Sequence, residues 1–516
     1  MRRVTVAIVL LLLSACGDRD DRFDDWEGLE GPQVVGEQVV YLDHNFDEVL
    51  VLKLKAGEIS PTWERHGVSP GSAFVGQLEQ QGEVLIQSAA AGLLERFNPS
   101  TGNMVSYSLE SPYDRFEVLQ DPPFAGAYFS ANAGDSETLF LNQGEVAFVD
   151  FEKTKDAVHK VVLKTYGGSP LGLDIAPRVP AAGGGRMFAF VRWNSFVSLV
   201  DTEKPEFQPV SIPLKAPDTD IQVFPGKMQF VAGNNRLSGY FLAQASQDLY
   251  AIDLDVEQLK GGASGVAVNV FPTAVGASTF TPFNHANGDT GLLVLSPGNR
   301  MVAVVHPESS EVKLYTLEGL TPTAITVFTM VSPETGVEEE FAFIYNDGGS
   351  SKSYYYVELH RLAEKKSKAF HRYTTLPAGV RKVYMQGEDT FLVMHSTGSS
   401  PMSFVTVSNG SVESVGGGLT VSQERFSPDG DSMYALAQKG GRTYVVAYDL
   451  TERTARVIDV SYGNAPAGLV HMADAGLLVT YDSTGQTLTV IPDDFVADDA
   501  DAVVQFFAPT LIGLEH

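Results

Sequence analysis

The chain has 516 residues, of which 44% are apolar and 19% charged, so it is a globular protein with ample length for a large core rather than a disordered one. Its formal net charge of −28 repels phosphate backbones and anionic headgroups, which argues against nucleic-acid binding and against adhesion of the bare surface to lipid. One cysteine in the whole sequence excludes an intrachain disulfide. The 49 glycines, 27 prolines, 30 phenylalanines and 19 tyrosines suit many short strands joined by tight turns.

Arg2 and Arg3 precede an apolar run from Val4 to Leu13. That run is about half the length of a bilayer-spanning helix, so it reads as the core of an export signal. Leu13-Ser14-Ala15-Cys16 follows, with small residues where a peptidase must reach the backbone. This segment resembles the lipobox of bacterial lipoproteins. The resemblance covers about the first seventeen residues. It implies diacylglyceryl transfer to the Cys16 thiol, cleavage after Ala15 and acylation, of the palmitate type, of the new N-terminus. Residues 1–15 are then a signal peptide, and the partner of the mature chain is a membrane held through lipid. Gly17 after the cysteine implies, by the same resemblance, sorting to the outer membrane of the cell envelope.

Residues 16–34 are charged, punctuated by glycine and without an apolar period, so they are expected to form a flexible acidic tether. Their aspartates do not meet the EF-hand pattern.

From residue 35 onward no long segment has a helical apolar period. A phrase recurs instead: an apolar strand, a polar turn, a second apolar strand ending in Asp, another turn and a third strand. Thr138 to Leu141, Val146 to Asp150 and Val158 to Leu163 form one copy. Met187 to Val191 with Val197 to Asp201, and Tyr240 to Ala243 with Leu249 to Asp253, form two more. Met433 to Leu436, Tyr444 to Asp449 and Ala455 to Val460 form a later one. The closing residues Asp150, Asp201 and Asp253 stand 51 and 52 residues apart. Such a period is that of propeller blades, four-stranded sheets that bury their faces on one another. The closing Asp is expected to cap the turn that follows it.

About ten such phrases are present, from Val39 to Pro492. Because rings commonly hold four to eight blades, the expected architecture is an all-β propeller of seven or eight blades over residues 35–516, some phrases being insertions. Two smaller rings, or a sandwich joined to a ring, is the alternative. No linker marks a boundary, so a single domain is expected. Phe426-Ser-Pro-Asp-Gly430 and Leu295-Ser-Pro-Gly-Asn299 precede blade strands; proline fixes φ there and glycine accepts a positive φ. These turns resemble those of TolB-like and YVTN-type propellers, a resemblance that runs weakly over residues 35–510.

None of the ten histidines has metal-site spacing, and His306, at the end of the apolar strand Val302 to Val305, is the first to inspect at a ring axis. Asp493, Asp494, Asp498, Asp499 and Asp501 form an acidic cluster expected to be a solvated loop. Tyr354, Tyr355 and Tyr356 alternate between faces on a strand, either as blade packing or as part of a binding face. No P-loop, dinucleotide fingerprint or nucleophile elbow is present, and no catalytic residue, metal or cofactor is assigned. The expectation is a membrane-anchored scaffold that binds an envelope protein or a ligand. The alternative is a hydrolase, of lactonase or glycan-active type, working at a central channel.

Overall fold

The computed structural model describes residues 29–507 except 56–60, 131–143, 165–168, 181–184, 205–207, 217–220, 245–247, 260–263, 285–288, 332–335, 350, 364–368, 375, 378, 388, 397–399, 407–408, 462–464, 483–486 and 500–501. Ala15, Cys16 and residues 16–28 of the expected tether lie outside the described residues. Residues 29–34, read from sequence as the end of that tether, belong to the strand Leu29–Val35, which pairs with Gln38–Asp43. Gly36, with φ +56°, makes the turn between them.

The described residues form ten antiparallel sheets, nine of four strands and one of five. Consecutive strands of the chain pair within each four-stranded sheet, and the five-stranded sheet differs only in its split first strand, so every sheet is a meander of the blade type, and the fold is an all-β β-propeller. Ten blades replace the expected seven or eight. Folding several phrases into insertions undercounted the sheets. In the copy around Asp150 the strand beside Glu145–Asp150 is Phe124–Tyr128, while Thr138 to Leu141, expected there from sequence, lies outside the described residues. The central strands explain the continuous apolar phrases. Gln38–Asp43, Phe188–Arg192 and Thr290–Ser296 are buried on both faces, because a neighbouring sheet covers each side. The last strand of a sheet is more open, as in Asn103–Ser108.

The sheets fall into two compact units, residues 113–421 and residues 29–112 with 422–507. The crossing at 421/422 lies inside the strand Thr420–Phe426, which is why no linker is visible there.

Within residues 113–421, six sheets stack in chain order. Phe148 and Trp193 share a core between the third and fourth sheets, and Phe190 and Tyr250 one between the fourth and fifth. Tyr240, Leu249, Leu292 and Val294 fill the space between the fifth and sixth. Leu293 and Val357 join the sixth to the seventh, and Phe343 and Val393 the seventh to the eighth. The inner strand of the fifth sheet is broken into Phe224–Pro225 and Gln229–Gly233, both paired with the long strand Arg236–Gln244.

The other unit stacks its ninth and tenth sheets through Leu436 and Leu478, and its first and second through Val40 and Ile86. Its first and tenth sheets, from opposite ends of the sequence, share a core of Val39, Tyr41, Val470, Val479 and Leu488. The backbone N–H of Asp474 donates to Glu37 Oε2 across the same junction, at 3.1 Å.

The two proline turns differ in detail. In Phe426-Ser-Pro-Asp-Gly430, Gly430 takes φ +77° and donates its N–H to the Ser427 carbonyl. In the other copy, Pro297–Asn299 forms a short 3-10 turn and Arg300, not Gly298, takes the left-handed position at φ +53°.

Candidate functional site

The closing aspartates cap turns as their position predicts. Asp150 Oδ1 accepts the N–H of Glu152 at 3.0 Å. Asp201 Oδ1 accepts those of Glu203 and Lys204, at 3.0 and 3.1 Å. Asp449 Oδ1 takes Thr451 and Glu452 at 3.0 and 2.7 Å, and Asn98 does the same for Ser100 and Thr101. A carboxylate here satisfies N–H groups that the turn leaves free.

The fifth sheet departs from this rule, and its departure builds the candidate site. Its third strand, Asp248–Asp255, runs two residues past the expected closing position. Asp255 therefore caps the turn, accepting the N–H groups of Glu257 and Gln258, each at 3.2 Å. Asp253 is not the cap that its spacing predicts. Its carboxylate lies on the sheet face, where Oδ1 accepts the Ser238 hydroxyl at 2.5 Å and Oδ2 accepts the Asn269 amide at 2.7 Å. Three adjacent strands, Arg236–Gln244, Asp248–Asp255 and Val266–Pro272, thus hold one carboxylate in place.

This polar band lines a cleft of about 540 Å³ between the fifth sheet and the turn that carries Pro307, Glu308 and Ser310 in the sixth. The inner part of the same junction is the apolar cluster around Tyr240 and Leu292, so the sheets are sealed below and open above. Arg236 also lines the cleft. Burial pushes the Tyr240 hydroxyl up to about 12; the charges of Asp253 and Glu308 act in the same direction, and a hydrogen bond with Ser238 opposes them. The cleft therefore combines fixed acceptors, amide and guanidinium donors and a protonated phenol.

His306, singled out from sequence, ends the strand Met301–His306 next to this cleft, and its carbonyl accepts the Ser309 hydroxyl at 3.4 Å. The other described histidines are dispersed, and several face one carboxylate each. His44 meets Glu30 at 3.2 Å, His360 meets Glu339 at 3.0 Å, His371 meets Glu358 at 3.0 Å and His471 meets Asp493 at 3.1 Å. His395 is buried and bonds the Ser403 hydroxyl at 2.8 Å. Of the acidic cluster near the C-terminus, Asp493 is thereby drawn to His471, while Asp501 lies outside the described residues. Tyr354 and Tyr356 pack toward the eighth sheet and Tyr355 toward the sixth. All three are buried, so they are blade packing and not a binding face.

A second cleft, of about 380 Å³, lies between the third and fourth sheets and is lined by Asp150, Lys153, His159 and Glu203. Burial lowers the pKa of His159, the nearby charge of Asp201 opposing it.

Two of the ion pairs inside the unit of residues 113–421 pair an arginine with a fully buried aspartate, and neither was foreseen. Arg186 Nε donates to Asp201 Oδ2 at 2.9 Å and Nη1 to the Val256 carbonyl at 2.8 Å, which ties the fourth sheet to the fifth. Arg192 Nε donates to Asp174 Oδ2 at 2.6 Å. Burial raises the Asp174 carboxyl to about 6 in spite of Arg192, and its Oδ1 has no hydrogen-bond partner among the described residues. Only an arginine ending the apolar run Phe188–Arg192 hinted at this pair.

No family model matches the sequence, and no curated protein matches it. Among solved structures, the chain is similar to the dihydro-heme d1 dehydrogenase NirN in complex with DHE. There the identity is 11%, 75% of each chain is covered and the TM-score is 0.42. A eukaryotic initiation factor matches at 10% identity over 92% of this chain and 96% of the other, with a TM-score of 0.44. The Dos1 propeller matches at 13% identity over 69% and 86%, with a TM-score of 0.39. At these levels the likeness concerns architecture, and no activity is carried over from it.

Proposed function

We propose that this chain is a lipoprotein of the bacterial cell envelope, anchored by lipid on Cys16, whose β-propeller serves as a binding scaffold. One observation carries the reading: the only cysteine of the sequence stands directly after Leu13-Ser14-Ala15, behind a basic pair and a short apolar run. A thiol at that place is where a lipid tether attaches, and two or three acyl chains hold a protein firmly. The acidic composition suits a body that stays in aqueous space beside an anionic membrane. Blades with polar clefts at their junctions supply binding surface.

The test is expression of the full chain in a bacterium fed radiolabelled palmitate, beside Cys16→Ser. The expected result is label and membrane fractionation for the parent chain, and neither for Cys16→Ser. Absence of label from the parent, or equal membrane fractionation of both, overturns the anchor.

A further inference from the structure

We propose that the cleft between the fifth and sixth sheets is a saccharide-binding site, with the Asp253 carboxylate and the Asn269 amide holding adjacent sugar hydroxyls. The inference deepens the scaffold reading by naming a ligand class, and it rests on that reading only for the idea that the blades bind something.

The displaced cap is the first argument. In the third, fourth and ninth sheets the closing Asp is consumed by backbone N–H groups. In the fifth sheet the strand is longer, Asp255 takes over that work, and Asp253 faces the cleft. Each oxygen of Asp253 already accepts one hydrogen bond, from Ser238 and Asn269. A carboxylate oxygen has a second lone pair, so both remain able to accept another. The Asn269 amide has a second N–H to donate.

A fixed acceptor beside a fixed donor is the pattern that a hydroxyl group satisfies, because a hydroxyl donates and accepts at once. Repeated over neighbouring groups, it suits a polyol. Ser238 and Asn269 hold the carboxylate still, which reduces the ordering cost of binding. Val266 and Pro307 give the cleft a small apolar wall for the C–H face of a sugar ring. The volume, about 540 Å³, lies in the range of small-ligand sites, roughly 300–1,000 Å³.

Charge narrows the class. Asp253, Asp255 and Glu308 outnumber Arg236, so an anionic sugar is disfavoured relative to a neutral one.

The experiment is saturation-transfer NMR and titration calorimetry on the full chain in detergent. Glucose, galactose, mannose and N-acetylglucosamine are tested singly, with glucuronate and spermidine as charged counter-probes. Asp253→Asn keeps the shape and exchanges an acceptor for a donor. Asn269→Ala, on an exposed position of the outer strand, is the second variant, and the thermal midpoint of each variant reports its folding. The expected result is that at least one neutral sugar binds, that glucuronate binds more weakly, and that each variant binds that sugar about tenfold or more less tightly. The proposal is overturned if no neutral sugar binds below about 10 mM. It is equally overturned if binding survives both substitutions, or if spermidine alone binds. A negative result with the sugars leaves the palmitate result standing, and loss of the palmitate label leaves sugar binding standing, so the two readings fail separately.

Discussion

Gly172 faces Arg192 directly across the first two strands of the fourth sheet, and a Cβ at Gly172 would stand 2.2 Å from Arg192 Nη2. The missing side chain makes room for the guanidinium that reaches Asp174. Arg192 is held at its far end by Asp174 and lies close to the Pro225 carbonyl, so it cannot swing aside freely. Gly172→Ala is therefore expected to dislodge it and to lower stability by about 1–3 kcal/mol, read from the urea midpoint.

Asp174 gives a signed pH dependence. Its carboxyl is raised to about 6 in the fold, against an ordinary value near 3.8. Between those two values the folded state holds the proton and the unfolded state has released it. Stability from this group is thus present at low pH and lost as pH rises toward 6, by about 3 kcal/mol in all. Other carboxylates titrate over the same window, so the difference between the parent chain and Asp174→Asn isolates it. The variant is expected to lose less stability than the parent between pH 4 and pH 7; equal losses would remove Asp174 as the cause.

The buried pair of Arg186 and Asp201 is expected to be costly to break and cheap to replace. Arg186→Met leaves the Asp201 carboxylate, 1% exposed, without its counter-charge, at a cost of about 3–5 kcal/mol. Combining it with Asp201→Asn keeps an oxygen that caps the turn and removes the orphaned charge. The double variant is expected to recover most of the loss, which a double-mutant cycle of urea midpoints measures.

Leu488 tests the junction of the first and last sheets. It is fully buried among residues from both. Leu488→Ala is expected to cost about 2–5 kcal/mol, with faster hydrogen exchange in Gln38–Asp43, a strand more than four hundred positions away in sequence.

What was legible in the sequence follows the physics of the elements. Strands buried on both faces are written as unbroken apolar runs, so the class of fold and most of the blade phrases are visible without coordinates; Phe124–Tyr128, with its small Ala125, Gly126 and Ala127, was passed over in favour of Thr138 to Leu141. Turn caps act over two or three residues, so Asp150, Asp201 and Asp449 were legible as well. The candidate site was not, because Asp253-Leu-Asp255 offers two carboxylates of like alternation and only the length of the paired strands decides which one caps. Asp174 with Arg192 and Asp201 with Arg186 were hidden for another reason. Asp174 and Arg192 meet across neighbouring strands, and Arg186, in an isolated bridge to Val179 just before the strand Phe188–Arg192, reaches Asp201 at the end of the next strand; both contacts depend on tertiary register that no local window contains.

The stacking of the first sheet on the tenth has a consequence for biogenesis. A chain emerging from a ribosome presents residues 29–112 long before residues 466–507 are made. Until then Val39 and Tyr41 have no opposite layer, and the early segment stays adhesive. The contiguous stretch 113–421 carries its own stacking partners and can condense while synthesis continues. A holding chaperone would therefore act on the two ends of this polypeptide and spare its middle.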